Sequence, residues 1–334
     1  MRLRHSLAFI TVSAGIAAWT PVAVAHPGEG NDHGHDHVYV ADQPALKNNV
    51  TIEVKDGFRH ILSNGIPDHK PGQFPNRGNP HTIAPQTYKL RVPVKPTMLD
   101  KNATAPVQRG MLVGVALNGV VFDPGTAEYW RNDPRTGWRQ EAISPMTNQG
   151  ARMGLDTSNA HVQPNGAYHY HALPIGLVEN LAAAAKVKIG ATMIQIGWAA
   201  DGFPIYETHG HAKADDAKSP LKELRSSYKL KKGERPGGDE GPGGKYDGAY
   251  TADFEYVAGS GDLDECNGRT GVTPEFPGGT YYYVVTDQFP FIPRQLKGAA
   301  DASFQKNDRP GGRPGPGPGP RPGGPGPRPA PPGK

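Results

Sequence analysis

The sequence is poor in cysteine and in long apolar runs, and both shortages narrow the kinds of protein it can encode. Cys266 is the only cysteine among 334 residues, so no disulfide can form within the chain. A single apolar run, residues 7–19, follows two arginines near the start. This run is shorter than the roughly 20 apolar residues that a membrane-spanning helix requires. We therefore predict no transmembrane segment, and we expect Cys266 to be a buried small hydrophobe.

The motifs of several large enzyme classes are also missing. The sequence contains no Gly-x-Ser-x-Gly nucleophile turn, no phosphate-binding loop and no dinucleotide-binding fingerprint. Cys266 is a weak candidate nucleophile, because the acidic residues Asp264 and Glu265 precede it and raise the pKa of a neighbouring thiol. The sequence therefore assigns no enzymatic activity.

Positive charge is concentrated at the two ends of the chain. The formal net charge is +4. Two of these charges belong to Arg2 and Arg4, and after residue 306 five basic residues face one aspartate, so residues 26–306 carry a net charge of −2. A protein whose main body is slightly acidic lacks the electrostatic footprint of a nucleic-acid-binding protein. We predict no nucleic-acid partner.

Both ends have compositions that differ from the middle of the chain. Residues 1–25 combine a basic start, an apolar stretch and a small-residue site at Ala23–Ala25, which is typical of a secretory signal. We expect cleavage after Ala25 and a periplasmic or secreted protein. Residues 26–47 are rich in His, Asp and Gly, which predicts a flexible arm able to bind transition metals weakly. Residues 305–334 are rich in Pro, Gly and Arg, which predicts a disordered basic tail.

Between these ends, alternation of apolar and polar residues predicts a mainly β domain over residues 48–296. The predicted strands are Val50–Val54, Phe58–Leu62, Tyr88–Val94 and Met111–Ala116. Helical spacing is found in 175–188 and, less regularly, in 221–230. We expect a single domain of sandwich or barrel type with one or two short helices and long loops. The loop at 63–81 is dense in Asn, Asp and His, which favours a role in lining a site.

Three segments recur in the same order along the chain and predict two related halves. Gly114–Val120 resembles Gly197–Phe203, Leu155–Asn159 resembles Leu263–Asn267, and Gly166–Tyr170 resembles Gly279–Tyr283. The halves extend over about 111–175 and 194–290 and are expected to face each other across a pseudo-two-fold axis.

Tyr168–His171 is the segment that carries most chemistry. An Asn-Gly turn precedes it, and its alternation of Tyr and His is the pattern of a strand. Successive side chains of a strand point to opposite faces, so His169 and His171 share one face and the two tyrosines share the other. At about 6.5 Å of backbone separation, both imidazoles can reach one metal ion at about 2.0–2.1 Å.

A metal site is the first functional hypothesis. The turn at Pro164–Gly166 can fold His161 beside the histidine pair, and His69 or Asp156 could add a further ligand. Three histidines with an open position suit Zn²⁺ or Cu²⁺ and can activate a bound water. In the second half, the counterparts of the three histidines lack imidazoles and are Arg269, Tyr282 and Val284. The predicted site therefore belongs to the first half.

A binding module without metal is the alternative, with a glycan or protein of the cell envelope as its partner. Stacking surfaces would come from aromatic residues, namely Tyr168, Tyr170, Trp198, Phe203, Tyr206 and Tyr281–Tyr283. Because Trp198 and Phe203 lie in apolar strand sequence, a place in the core is favoured over stacking for these two. Hydrogen bonds would come from polar residues, namely Asp68, Asp156, Asp201, Asp264 and Asn267. A Ca²⁺ site in the acidic loop 262–267 is a weaker alternative, because its spacing does not match an EF-hand loop.

At these residues the chain resembles the bacterial YHYH-domain family, which is named for the tetrapeptide at 168–171. The resemblance covers about residues 48–296 and rests on six segments: Asn64–His69, Phe74–Asn76, Gly78–Pro80, Tyr168–His171, Asp201–Tyr206 and Asp262–Gly268. It implies an exported protein with one complete domain, and it implies no particular activity. Arg269 stands where some relatives have His, which counts against a second metal site.

Overall fold

The computed structural model describes residues 46–100, 103–144 and 152–306, and these residues are mainly β. The predicted signal sequence, nearly all of the His-rich arm and nearly all of the basic tail lie outside them. In the described part, no helix is long and apolar enough to cross a membrane.

The described residues form seventeen strands, one α-helix and four 3₁₀ helices. The strands are β1 (Val50–Lys55), β2 (Phe58–Ser63), β3 (Tyr88–Pro93), β4 (Ala105–Pro106), β5 (Gly114–Ala116), β6 (Val121–Phe122), β7 (Ala160–Val162), β8 (Tyr168–Tyr170), β9 (Gln195–Ala199), β10 (Pro204–Tyr206), β11 (His209–His211), β12 (Leu221–Glu223), β13 (Tyr228–Leu230), β14 (Phe254–Tyr256), β15 (Gly268–Gly271), β16 (Thr280–Val284) and β17 (Gln295–Leu296). The helix α1 covers Ile175–Ala185, and the 3₁₀ helices cover Trp130–Asn132, Pro134–Thr136, Thr251–Asp253 and Ala302–Phe304.

Eight strands form one curled sheet, which resembles half a barrel, in the order β15-β16-β10-β9-β5-β6-β8-β7. At its centre, β5 and β9 are antiparallel, and Gly114 lies opposite Ala199. Glycine is required there by space: a Cβ at residue 114 would lie 2.6 Å from the carbonyl oxygen of Trp198, and a Cβ at Gly197 would lie 2.5 Å from that of Val115. The two backbones therefore approach closely along the line where the halves meet.

From its centre outward, the sheet has the same connectivity twice. In the first half, β5 pairs with β6, β6 is parallel to β8, and β8 is antiparallel to β7. In the second half, β9 pairs with β10, β10 is parallel to β16, and β16 is antiparallel to β15. This order confirms the prediction of two related halves.

A separate three-stranded sheet, β1-β2-β3, packs onto the same core. The first two predicted strands pair as a hairpin, and both turn residues have positive φ: 52° at Asp56 and 80° at Gly57. This conformation suits the Asp-Gly pair and the twist of a two-residue hairpin. Ile61 and Leu90 of this sheet belong to the main hydrophobic cluster that also contains residues of the eight-stranded sheet. Cys266 is buried in the same cluster, as predicted.

The helix prediction was correct for one segment and wrong for the other. Helix α1 buries Leu177, Val178 and Ala182 and ends where Lys186 adopts a left-handed conformation. Residues 221–230 form no helix; they form β12 and β13, which pair with different partners, β11 and β14. Tertiary strand pairing outweighs a weak local helical preference in this segment.

The packed chain also continues beyond residue 296, the predicted end of the domain. Phe304 is fully buried in the main core, and Asp301 accepts a hydrogen bond from the backbone of Ser303. Lys306 donates its backbone N–H to Gly110. The sequence has few apolar residues here, and the segment is held by one buried aromatic together with hydrogen bonds to distant parts of the chain.

Candidate metal centre

Strands β7 and β8 bring three histidines onto one face of the sheet. In their antiparallel register, His161 lies directly opposite His169. His171 immediately follows β8, two residues beyond His169, and so points to the same side. The turn between the strands contains Gly166, whose φ of 85° lets the chain reverse within a few residues. The predicted grouping of these three side chains is therefore what the structure shows.

The three imidazoles form a nearly equilateral triangle. Ring centroids lie 4.7 Å apart for His161 and His169, 4.9 Å for His161 and His171, and 4.7 Å for His169 and His171. One ring nitrogen from each residue lies within 4.8 Å of the other two. The Nε2 atoms of His161 and His171 are 3.2 Å apart. Among the described residues, these three are the group whose ligand atoms come together in this way.

Backbone carbonyls orient two of the rings. Nδ1 of His161 lies 2.8 Å from the carbonyl oxygen of Met153, and Nδ1 of His169 lies 3.1 Å from that of Ala167. An imidazole that donates Nδ1–H to a carbonyl carries its lone pair on Nε2. Metal-binding histidines are commonly held by such an outer hydrogen bond. The local backbone therefore selects the tautomer that presents Nε2 as a ligand.

Burial keeps the cluster neutral. His169 is 2% exposed and His171 is 1% exposed. Burial, reinforced by the neighbouring imidazoles, lowers the pKa of His169 to about 3 and that of His171 well below its usual range. Burial also lowers the pKa of His161. At neutral pH the three rings are uncharged, which is the form that can coordinate a metal.

A cleft of about 860 Å³ opens onto the triad, with His161 and His169 in its wall. Asp123 lies in this cleft, 3% exposed, and its Oδ2 accepts hydrogen bonds from Nε2 of Gln163 and Nζ of Lys306. Glu128 lies there as well, and one of its oxygens, Oε2, is buried without a hydrogen-bond partner in the described part of the chain. The triad is thus reached through a polar, charged cleft.

The end of the predicted site-lining loop forms one wall of the cleft. Asn79 donates from Nδ2 to the carbonyl of Val162, 2.8 Å away, beside His161. Asn76 donates to the carbonyl of Gly154 at 3.0 Å. Gly154 has a φ of 65°, and a Cβ there would lie 2.2 Å from Oδ1 of Asn76. The loop can therefore reach the triad only because residue 154 is glycine.

His69 does not join the triad. Its Nε2 lies 2.7 Å from the hydroxyl of Tyr170, and its ring stacks on Tyr170 with 6.0 Å between centroids. This is the tyrosine face of β8, opposite to the histidine face. Asp156 lies on that face too and accepts a 2.6 Å hydrogen bond from Tyr168. The strand period that joins the three histidines also separates them from His69 and Asp156.

The polar residues predicted to bind a ligand make internal hydrogen bonds instead. Asp68 accepts a hydrogen bond from Nδ2 of Asn118, and Asp201 accepts from the Tyr283 hydroxyl and from the backbone N–H groups of Phe203 and Gly298. Asp264 accepts from the Tyr281 hydroxyl and from the backbone N–H groups of Cys266 and Gly268. Asn267 donates to the carbonyl of Val284 and to the hydroxyl of Thr286. Asp262 is likewise occupied by Lys222 and the backbone of Arg225. The acidic loop therefore has no convergent set of free oxygens for Ca²⁺ among the residues described.

The aromatic residues predicted to stack on a glycan are all in the interior. Tyr168, Tyr170 and Tyr206 have no exposed surface. The other members of that set are 9% exposed or less: Trp198, Phe203, Tyr281, Tyr282 and Tyr283. Trp198, the most exposed, is covered by the guanidinium group of Arg59, 3.8 Å from the ring centroid. These rings build the core and offer no stacking platform.

Sequence reasoning missed Asp123, Glu128 and Lys306. For Asp123 the repeat contained a signal. When the first repeat match is extended by three residues, Asp123 is the equivalent of Tyr206, so an acidic residue follows β6 in the first half where an aromatic residue ends β10 in the second. Glu128 and Lys306 lie in irregular segments, and only the tertiary structure brings them to the cleft.

A family model described as "YHYH protein" matches residues 89–298, a span that contains the triad, most of the residues that line the cleft and both halves of the sheet. The chain therefore belongs to the YHYH family, as the resemblance indicated. No curated protein matches the chain. No solved structure matches it either.

Proposed function

We propose that the protein binds one divalent transition metal ion, Zn²⁺ or Cu²⁺, through Nε2 of His161, His169 and His171. The observation that carries this proposal is the convergence of three neutral imidazoles, each with one ring nitrogen within 4.8 Å of a ring nitrogen of the other two. Two nitrogens of a tetrahedral zinc site lie about 3.3 Å apart when each is about 2.05 Å from the ion. The Nε2 atoms of His161 and His171 are 3.2 Å apart, which matches that spacing.

The hydrogen-bond partners of the ring nitrogens favour a bound ion over a cluster of histidines alone. Nδ1 of His171 is buried and has no hydrogen-bond partner among the residues described. Its Nε2 lies 3.2 Å from Nε2 of His161, and a hydrogen bond between these two nitrogens satisfies the lone pair of only one ring of the triad. An ion bound to the Nε2 atoms would not supply a partner for Nδ1, but it would engage the Nε2 lone pairs of all three rings, and leaving buried polar nitrogens without partners costs free energy. A purely structural role does not explain why two buried imidazoles and one half-buried imidazole converge in this way.

The fourth coordination position would face the cleft. Three histidine ligands with one open position are typical of catalytic zinc sites, whereas structural sites are closed by four protein ligands. A water at that position would be acidified by the ion. We propose a metal centre that presents one exchangeable position to a ligand from solution, in a protein exported after cleavage at Ala25.

The test measures bound metal in the full-length mature chain. The arm histidines His26, His33, His35 and His37 are replaced by Asn so that they contribute no metal. We expect about one equivalent of Zn²⁺ after dialysis, and its loss in the His169→Ala variant, because two ligands do not hold the ion. His209→Ala is the matched control, since His209 is half-buried in the second half and should leave the metal content unchanged.

Retention of a full equivalent by the His169→Ala variant would contradict the proposal. So would a metal content near zero in the parent chain while the protein remains folded by circular dichroism.

A further inference from the structure

The cleft above the triad carries an excess of positive charge. Four basic residues line it, Arg109, Arg139, Arg152 and Lys306, against two carboxylates, Asp123 and Glu128. Lys306 forms an ion pair with Asp123, so these two charges compensate each other. None of the three arginines pairs with a carboxylate within residues 46–100, 103–144 and 152–306. The cleft is therefore lined by three guanidinium groups and one carboxylate that form no ion pair with one another.

Arg139 is the best-positioned of these arginines. Its Nε donates a 2.7 Å hydrogen bond to the hydroxyl of Tyr129, and its guanidinium group lies 5.1 Å from the centroid of the same ring. A Cβ at residue 125 would lie 2.9 Å from its Nη1, so Gly125 leaves the space that this group occupies. Its two Nη atoms have no partner in the described part of the chain. Arg139 therefore holds a fixed planar group with unused donors in the cleft wall.

Glu128 adds a second requirement for the ligand, which is a hydrogen-bond donor. Its Oε2 is buried without a donor among the described residues, and the residue lines the same cleft as Arg139 and the triad. A buried carboxylate oxygen is stabilised by a hydrogen-bond donor. A water or a ligand hydroxyl in the cleft would supply one. The site therefore fits a ligand that has an anionic end and a group able to donate a hydrogen bond.

We propose that the ligand of this cleft is a phosphate group, free or as the monoester of a small organic molecule, and that Arg139 determines this specificity. The inference rests on the proposed metal site, whose open position would accept one phosphate oxygen. Guanidinium groups bind phosphate oxygens in a bidentate, planar geometry that lysine does not reproduce. The excess of guanidinium charge together with a divalent ion favours a dianion over a monocarboxylate. A volume of about 860 Å³ leaves room for an organic group beside the phosphate.

The test uses Co²⁺ in the full-length mature chain with the four arm histidines replaced. Tetrahedral Co²⁺ absorbs visible light strongly, and its spectrum changes when the open position receives a new ligand. Inorganic phosphate is titrated at constant ionic strength, with acetate titrated in parallel. We expect phosphate to change the spectrum and acetate to require a concentration at least about tenfold higher.

Two variants and one control separate the contributions. Arg139→Gln should weaken phosphate binding by at least about tenfold, since a charge-assisted hydrogen bond is lost, and should leave the Co²⁺ spectrum without phosphate unchanged. Glu128→Gln should strengthen phosphate binding, because it removes a negative charge from the cleft while the amide keeps an oxygen that can accept a hydrogen bond. Arg135→Gln is the matched control: this exposed arginine pairs with Asp133 and does not line the cleft, so phosphate affinity should not change.

Each failure has its own signature. If the Co²⁺ spectrum depends on His169 but phosphate binds equally well to the parent and the Arg139→Gln variant, the metal site stands and the phosphate inference is overturned. Acetate binding as tight as phosphate binding would also overturn the phosphate inference and leave the metal site standing. If no spectrum that depends on His169 is obtained, the proposed metal site fails, and this inference fails with it.

Discussion

The two halves of the eight-stranded sheet have the same strand connectivity, but they carry different side chains on one face of the sheet. In the first half, the outer strand pair holds His161 opposite His169. In the second half, the equivalent pair holds Arg269 opposite Tyr282, and the arginine donates to the tyrosine hydroxyl at 2.7 Å. The same two positions thus produce a candidate ligand pair in one half and a structural hydrogen bond in the other.

What covers this face differs as well. In the second half, strand β11 lies over Arg269, whose Nη2 donates to the carbonyl of His211 at 2.6 Å. Leu224, Met193 and Tyr206 complete a small apolar cluster around Tyr282 and Val284. In the first half the equivalent face borders a cleft. The second half closes this face with an extra pair of strands, and the first half keeps it accessible.

The opposite face is nearly the same in both halves. Tyr168 donates to Asp156, and its counterpart Tyr281 donates to Asp264. Each of these aspartates also accepts backbone N–H groups from the residues two and four positions later. The face that carries Tyr168 and Tyr281 therefore maintains the fold in both halves. The opposite face differs between the halves, and in the first half it carries the candidate metal ligands.

The largest expected effect tests this division through stability. Tyr282→Ala should destabilise the metal-free protein by about 3–5 kcal/mol, because it empties a fully buried aromatic site. His169→Ala, at the equivalent position, should cost only about 1 kcal/mol, because its ring borders the cleft and water can occupy the space. Urea unfolding of both variants measures the difference. Equal losses would mean that the histidine face is as structural as its counterpart.

A smaller effect concerns acid. The pKa of His169 is about 3 in the folded protein, whereas a histidine in an unfolded chain has a pKa of about 6.5. Below pH 6.5 the unfolded state therefore binds the proton that the folded state refuses, and stability falls with pH until about pH 3. At about pH 5 this single residue should cost about 2 kcal/mol.

The measurement is urea unfolding of metal-free protein at about pH 7 and about pH 5. His169→Asn should remove about 2 kcal/mol of the loss between these two pH values, since asparagine does not titrate. Tyr282→Phe is the control in the second half and should keep the full loss. An unchanged acid dependence in the His169→Asn variant would show that this ring is not held neutral by burial.

The smallest effect compares two asparagines in equivalent turns. Asn159 and Asn267 have φ of 56° and 58°, so glycine relieves the same backbone strain at both positions. Asn267 donates two fully buried hydrogen bonds, to Val284 and Thr286, while Asn159 donates one, to Leu173. Asn267→Gly should therefore be less stable than Asn159→Gly by about 1 kcal/mol in thermal or urea unfolding. A difference in the opposite direction would contradict the assigned role of the second turn.

Much of this arrangement could be predicted from local patterns. Alternation of residue types placed His169 and His171 on one face of a strand, and a turn rich in Asn and Gly indicated that His161 returns beside them. The repeat matches predicted the two halves and showed that the second half lacks the imidazoles. The helix expected at 221–230 was wrong, because strand pairing with distant partners decided that segment.

Other features could not be predicted because they depend on contacts between residues distant in sequence. His69 looks like a ligand in a polar loop, but the loop returns on the tyrosine side of β8, where its ring meets Tyr170. Asp201 and Asp264 look like binding residues, yet buried tyrosine hydroxyls and backbone N–H groups occupy their oxygens. No local pattern reveals whether a carboxylate's partners will come from water or from the chain itself.

By itself, the sequence determined the period of the strands, the positions of the turns and the duplication, because each depends on neighbouring residues and on backbone sterics. Only the tertiary structure decided which of two equivalent faces stays open. That outcome depends on where β11 and β12 pack, and on the segment ending at Lys306, which joins the cleft through an ion pair with Asp123 across 183 residues of chain. Such contacts join residues that are distant in sequence, and their energies depend on burial that no short stretch of sequence contains.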